Sequence, residues 1–505
     1  MSKTSPGIVK RERPEGVNEH RDVNGSRDRT RRHWWIWPAF VAVIAVRVAA
    51  TSGDLALDEI WSLWFVKNVL RNAIQVIALR HDNNHILNTL MMYGLGPDLP
   101  GICYRVLPAI ASVASVYLAV RITVRRNSDL APAITWILVG ASYPLILYGT
   151  EARGYSFAIF LAFLSWLFLL RTEANGRWTD AFVFAISASL GFLAHLTFLY
   201  CYGGYCVWTF LKVLKKRSWI LCLAHLLPAA TAMFLYLFFI RGMAIGGGPD
   251  SNVVTEVTST MSITTGGPIG GAGSLAAAGV LLAVLGTCFY QVGRVDRATA
   301  FCYLSIIVLV PAFVLAVTLG LLTNSRVEIC PRYFLIPIAF ALLLICEAIP
   351  RWWNSGKFGR TCQVGFICIY VTGNCWWTAG LLNHGRGDYS NALQWMAKNG
   401  TDSQMTLSTD HDFRNRMLFE YYTERLWLGG SPLKYVDRTS RSMGGTDWVI
   451  LHNFNDQPAN PNPITDASGN QYELKGTWLH HSLTGWNWWV YRKTTRTAEK
   501  RSGSN

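Results

Sequence analysis

Two short stretches carry the side chains that could do chemistry. They are Leu57-Asp58-Glu59-Ile60-Trp61-Ser62 and His81-Asp82-Asn83-Asn84-His85-Ile86-Leu87-Asn88. The adjacent carboxylates Asp58 and Glu59 stand just past the first long apolar run, where the chain has crossed a membrane. Near a bilayer a carboxylate is expensive unless it is paired or used. Arg105, Arg153 and Arg332 stand at the same membrane level, at the mouths of later apolar runs. Arginine offers a planar fork that can meet two oxygens of one anion. The pattern is therefore a carboxylate that could take a proton beside cations that could hold a phosphate. Its bland counterparts are a helix N-terminus for the carboxylates and snorkelling to headgroups for the arginines. His81, Asp82 and His85 could ligate a divalent cation through the i, i+4 histidine pair, or hydrogen-bond within a polar pocket. His195 and His225, inside apolar runs, read as satisfied core residues.

Composition says what must hold these groups. The 505 residues are 51% hydrophobic and only 15% charged, with 21 Trp, 20 Tyr and 24 Phe, which suits a polytopic α-helical membrane protein with interfacial aromatics. A formal charge of +15 would also fit a nucleic-acid binder. The excess, however, lies in the tail (Lys10, Arg11, Arg13, Arg21, Arg27, Arg29, Arg31, Arg32) and in short loops between apolar runs. That is the positive-inside pattern, and no nucleic-acid partner is expected. Residues 1–33 lack apolar periodicity and read as a disordered basic cytoplasmic tail.

The transmembrane domain is expected over residues 34–381. Its apolar runs are Trp34–Ala50, Tyr104–Ile122, Leu130–Tyr148, Tyr155–Leu170, Ala181–Leu196, Leu199–Leu214, Trp219–Ile240, Ser274–Val292, Phe301–Leu321, Tyr333–Ile349 and Cys362–Leu381. This makes about eleven crossings. With the N-terminus inside, the inner loops are Arg121–Arg126, Arg171–Arg177, Lys212–Arg217, Arg294–Arg297 and Arg351–Arg360, and each carries at least two basic residues. An odd number of spans then puts everything after Leu382 outside.

The first outer loop, 51–101, is too long for a plain connection. Trp61/Phe65, Trp64 and Val69 against Ser62, Lys67, Asn68 and Arg71 predict an interfacial helix over Ile60–Ile77. A second is expected over His85–Tyr93. The outer loop 242–273, with Gly246-Gly247-Gly248-Pro249 and Gly266-Gly267-Pro268, reads as a mobile cover; no GK[ST] follows, which excludes a P-loop. Residues 382–505 read as a small outer α/β domain. Its expected elements are a short helix with Leu393, Trp395 and Met396, a helix over Phe413–Tyr422, and strands over Met405–Ser408, Trp448–His452 and Trp486–Tyr491. Asp410-His411-Asp412 reads as a helix start rather than a metal-nucleotide site. The eleven cysteines contain no CxxC pair, and only Cys103 and Cys330, near outer span ends, could bridge.

Asp58-Glu59 after the first span, Asn83-Asn84-His85, Tyr104-Arg105-Val106-Leu107-Pro108, Glu151-Ala152-Arg153-Gly154-Tyr155 and Pro331-Arg332-Tyr333 occur in that order. In this the chain resembles the GT-C superfamily, specifically bacterial relatives of the dolichyl-phosphate-mannose protein mannosyltransferases (glycosyltransferase family 39-like). The resemblance runs from about Trp34 to Ile349. It implies a membrane glycosyltransferase with a polyprenyl-phosphate sugar donor (undecaprenyl or decaprenyl), set in a bacterial cytoplasmic membrane with its active site facing the periplasm. It also implies Asp58 as catalytic base with Glu59 beside it, Arg105 on the lipid phosphate, and Arg153 lining the same cavity. Arg332, Tyr155, Tyr333, Asp82, His85, Asn84 and Glu151 complete the expected substrate site. Ile86-Leu87-Asn88 stands where many relatives carry prolines after the loop histidine. No cofactor is required, a divalent cation stays open, and the acceptor could be protein, lipid or glycan. A flippase of polyprenyl-linked intermediates, or a ligase using a lipid diphosphate, is the alternative reading.

Overall fold

The computed structural model describes residues 36–126, 130–246, 252–318, 320, 329–426, 429–438, 445–454 and 459–494. The basic tail, with Trp34 and Trp35, lies outside them. Among the described residues, seven helices are long and apolar enough to cross a membrane, or eight if a bent pair counts as one span. Shorter apolar helices, including 37–50 and 178–194, accompany them. Over the described residues, each expected apolar run coincides with a helix or with consecutive helical segments. The helix Leu335–Ala348 is buried along its whole length and forms the centre of the bundle. Helices 219–240, 271–295, 297–317 and 357–398 are the least buried and present apolar faces outward, as lipid-facing elements do.

The bent pair delivers the site. Ala131–Ala141 and Tyr143–Thr150 meet at 64°, with Ser142 at the break and Pro144 in the first turn after it. A break at membrane depth frees backbone groups that need partners. Asn374, from the helix Lys357–His384, accepts the Tyr143 N–H at 2.7 Å. The redirected segment then ends in the turn Glu151-Ala152-Arg153, closed by Arg153 N–H donating to Glu151 O at 2.8 Å. Gly154 is required there, because a Cβ would lie 1.9 Å from Ala194 O and 3.0 Å from His85 Cβ.

The loop 51–101 departs from the expectation. Instead of one helix over Ile60–Ile77 there are two, Leu57–Asn68 and Ile74–Ala78, followed by Ile86–Leu95. The face buried on Leu57–Asn68 carries Glu59, Ile60, Ser62, Leu63, Phe65 and Val66, whereas Trp64 and Val69 are exposed. Ser62 is inside because its hydroxyl donates to Asp58 O at 3.0 Å and lies 3.3 Å from the Asn83 amide nitrogen. A local hydrogen bond thus overrides the hydropathy pattern. The helix does not simply lie on lipid, since the C-terminal helix Asp412–Arg425 packs over it. Tyr422 Oη accepts the Leu55 N–H at 2.7 Å, and Lys67 pairs with Glu424 at 2.6 Å.

The C-terminal unit is a mixed sheet of β1 (Met405–Thr409), β2 (Leu433–Tyr435), β3 (Trp448–Asn453), β4 (Ile464–Thr465), β5 (Gln471–Trp478) and β6 (Asn487–Lys493). The order is β2-β1-β3-β6-β5-β4. β1 runs parallel to β2 and β3, and β6 is antiparallel to β3 and β5. The helices Tyr389–Lys398 and Asp412–Arg425 stand as expected; β2, β4 and β5 were not anticipated. Asp410-His411-Asp412 is a helix start. The His411 side chain caps the helix by accepting the Arg414 N–H, Asp412 accepts Tyr435 Oη–H at 2.7 Å, and Asp410 pairs with His452. Cys103 and Cys330 form no disulfide. Of the expected cover, Ala244 bridges to His81, Gly246 N–H donates to Asp82 at 3.0 Å, and Val253–Thr264 is helical. Residues 247–251 lie outside the described ones.

The first loop and the C-terminal unit therefore share one end of the bundle. Lys215 lies near the far end of the helix Leu199–Lys216, whose other end follows His195 at the site. We expect cysteines placed at Asn68 and Ser403 to react with a membrane-impermeant maleimide from the same side, and one at Lys215 from the opposite side. Labelling of all three from one side would break the topology.

Candidate active site

Asp58 and Glu59 are neighbours in sequence and part company in space. Asp58 keeps 21% of its side chain exposed, and its Oδ2 accepts Arg153 Nη1 and Arg332 Nη1, each at 2.6 Å. Burial raises the Asp58 carboxyl, and Arg153 and Arg332 more than offset it, so the group sits below the ordinary carboxylate range. Arg153 also donates to Asn83 Oδ1 at 3.0 Å and to His85 Nε2 at 3.1 Å, and its guanidinium lies 5.0 Å over the Tyr155 ring. Arg332 is 30% exposed and stacks 5.8 Å over Tyr333. Among the described residues, both arginines retain a buried Nε–H with no acceptor, and the Tyr155 hydroxyl is likewise without a partner.

Glu59 is fully buried. Its Oε1 accepts Arg105 Nε at 2.8 Å and Ala152 N–H at 2.7 Å; its Oε2 accepts Arg105 Nη2 at 2.5 Å and Ala56 N–H at 2.8 Å. Arg105 spends its remaining donors on the carbonyls of Thr51, Ser52, Gly53 and Asp54 at 2.8 to 3.3 Å. It has no N–H left for a lipid phosphate. The geometry thus departs from the expected role of Arg105. A loop that must turn beside the membrane leaves carbonyls exposed, and Arg105 satisfies them while neutralising Glu59.

Sequence reasoning missed Arg386, which follows the last long helix and is 1% exposed. It lies 3.5 Å from Glu151 and donates to Ala50 O, Leu147 O and Thr150 Oγ1, each at 2.7 Å. A single arginine after a span looks like an anchor, and nothing in its local sequence marks it otherwise. Glu151 is thereby a structural partner of Arg386, and burial pushes its carboxyl up more than Arg386 draws it down. His195, read as a core residue, belongs to the site: its ring lies 4.6 Å from His85 and 4.7 Å from Tyr155. Burial, then His195, Arg153 and Arg332, hold His85 well below its ordinary range and therefore neutral, as an acceptor for Arg153 requires.

The remaining expected residues divide. Tyr155 and Tyr333 flank the arginines. Asn84 turns away, donating to Val76 O at 2.7 Å and Leu79 O at 2.8 Å, and Asp82 faces Gly246. His81, Asp82 and His85 do not converge, because His85 Nε2 is taken by Arg153 and His81 Nδ1 accepts the Asn83 N–H at 3.1 Å. Among the described residues no group of three His, Cys, Asp or Glu side chains could hold a metal ion.

The two arginine pairs differ in kind, and substitution separates them. Arg105→Ala would leave Glu59 buried and uncompensated, which costs about 3–5 kcal/mol. We expect a large drop in thermal stability in detergent, with phosphate-ligand affinity of the folded fraction retained. A well-folded Arg105→Ala protein that has lost phosphate affinity would return Arg105 to the ligand.

No family model matches this chain, and no curated protein matches it. Among solved structures it is similar to ArnT from Cupriavidus metallidurans bound to undecaprenyl phosphate, with 13% identity and a TM-score of 0.50 over 92% of this chain and 98% of that one. It is also similar to the apo state of the same protein, with 14% identity and a TM-score of 0.49 over 84% of this chain and 93% of that one. At such identity the likeness speaks to the fold alone. The chain has the ArnT-like fold, a polytopic helical bundle followed by a small mixed-sheet unit.

Proposed function

We propose that this chain is a glycosyltransferase that moves a sugar from a polyprenyl-phosphate donor to an acceptor hydroxyl on the outer face of a bacterial cytoplasmic membrane. The observation that carries the reading is a partly exposed carboxylate, Asp58, shared by Arg153 and Arg332 where the bundle meets its outer loop. The fold adds support by analogy, since ArnT of the same fold was solved with undecaprenyl phosphate.

The residues divide the chemistry as follows. Asp58 takes the proton of the acceptor hydroxyl as that oxygen bonds to the anomeric carbon. The bond from that carbon to the phosphate oxygen breaks, and its electron pair leaves with the polyprenyl phosphate. Arg153 and Arg332 meet the charge that grows there, so they stabilise the transition state more than the bound donor. One displacement inverts the anomeric configuration. His85 and Asn83 hold Arg153, and Tyr155 and Tyr333 support the two guanidinium planes. Glu59 with Arg105, and Glu151 with Arg386, are positioning pairs. No step is assigned to a cation.

Asp58→Asn should lower transfer by about a hundredfold or more, the scale of general-base catalysis, while the protein still binds donor. Wild-type turnover in this variant would refute the assignment. The pH profile gives a second test. In the free protein Asp58 lies below the ordinary carboxylate range, so it stays ionised as pH falls through that range. Because kcat/KM reports groups of the free enzyme, its acid limb should lie below about pH 4. An acid limb well above the carboxylate range would give the proton to another group.

A further inference from the structure

Around this site the buried charges pair off unevenly. Glu59 answers Arg105 and Glu151 answers Arg386. Asp58 alone answers both Arg153 and Arg332, through one oxygen, Oδ2. Among the described residues, two guanidinium groups against one carboxylate leave one positive charge in excess at that point. The neighbours that complete Arg153, Asn83 and His85, are neutral acceptors. The next carboxylate, Asp82, accepts the Gly246 N–H through Oδ2, and its buried Oδ1 has no hydrogen-bond partner among the described residues.

The donors are in excess too. Among the described residues Arg153 Nε–H and Arg332 Nε–H are buried without an acceptor, and a buried unsatisfied donor costs about 1–3 kcal/mol. A carboxylate has two oxygens, and only Oδ2 here bridges the arginines. A phosphate group spreads its charge over more oxygens and suits paired guanidinium forks. The cradle formed by Arg153 and Arg332 is thus under-filled by the anion that occupies it.

We propose that the donor phosphate binds in the seat that the Asp58 carboxylate now occupies between Arg153 and Arg332, so that donor binding displaces Asp58 and releases it to act as base. This rests on the glycosyltransferase reading and adds a coupling to it. With the arginines bound to phosphate, Asp58 loses the partners that depress its basicity and becomes a better proton acceptor when a sugar is present to be transferred. Without donor the carboxylate is held, and no strong base stands open to water. In the displacement the acceptor proton passes to Asp58, the new bond joins acceptor oxygen and anomeric carbon, and the phosphate departs with the electron pair. A carboxylate that competes with the ligand also lowers the ligand's affinity by the interaction that must be broken.

The consequence runs against ordinary expectation for a catalytic residue, since removing Asp58 should tighten binding. The experiment titrates undecaprenyl phosphate, and separately inorganic phosphate, into the full-length protein in detergent. Wild type, Asp58→Asn and Asp58→Ala are compared by microscale thermophoresis, with thermal unfolding to confirm folding. Two charge-assisted hydrogen bonds are removed from competition, each worth about tenfold, so undecaprenyl phosphate should bind both variants about tenfold to a hundredfold tighter than wild type. Equal or weaker binding by folded variants overturns the proposal while leaving the glycosyltransferase reading in place. Absence of undecaprenyl phosphate binding to wild type and variants alike overturns that reading itself. Tightening seen with inorganic phosphate alone would assign the seat to a free phosphate and overturn the lipid donor. Should Asp58→Asn fail to fold, Asp58→Ala carries the comparison.

Discussion

The structure depends on keeping charge balanced where water is scarce. Asp58 is joined to Arg153 and Arg332, which lie 95 and 274 positions away along the chain. None of the three could rest at the mouth of the bundle alone. An uncompensated buried charge costs several kcal/mol, whereas an exposed ion pair contributes about one or less. This triad therefore fixes how the loop 51–101, the Glu151-Ala152-Arg153 turn and the segment before the central helix must meet. The break at Ser142, the glycine at position 154 and the capping of Tyr143 N–H by Asn374 all serve that meeting.

Glu59 and Arg105 show how a neighbouring residue can do a different task. One residue along the same helix, the carboxylate turns inward instead of toward the opening, and every oxygen and guanidinium N–H finds a partner. Saturation makes the pair a fastener. The Asp58 cluster is the opposite case, with two guanidinium donors left over. The Glu59–Arg105 pair is thus saturated where the Asp58 cluster is not, while Arg386 also leaves its buried Nε–H without a hydrogen-bond partner among the described residues. Arg386 extends the fastener to the C-terminal unit by binding carbonyls at the ends of two other segments.

Long apolar runs and the sidedness of short basic loops made the bundle legible in the sequence, because lipid imposes a strong compositional constraint. Asp58, Arg153 and Arg332 were legible for the same reason, as charges that stand where the charge rule disfavours them. What stayed hidden depends on three-dimensional partners. Arg105 has the same sequence character as Arg153, yet it faces loop carbonyls, and only the turn of residues 51–54 decides that. Ser62 reads as the polar face of an amphipathic helix, yet the Asp58 carbonyl and Asn83 amide draw it inside. His195 sits in an apolar run, and only the tight approach over Gly154 brings it against His85. The edge strands β2 and β4 are too short for a period to register.

The central claim is that Arg153 and Arg332 together form the phosphate seat. Its most direct test is the ³¹P NMR signal of undecaprenyl phosphate titrated into the purified full-length protein in detergent. For wild type the account predicts a saturable shift and broadening of the resonance, and for the folded Arg153→Ala/Arg332→Ala double variant a resonance that stays at its free position. A double variant that is folded and still shifts the phosphorus signal as wild type does would contradict the account and place the phosphate elsewhere.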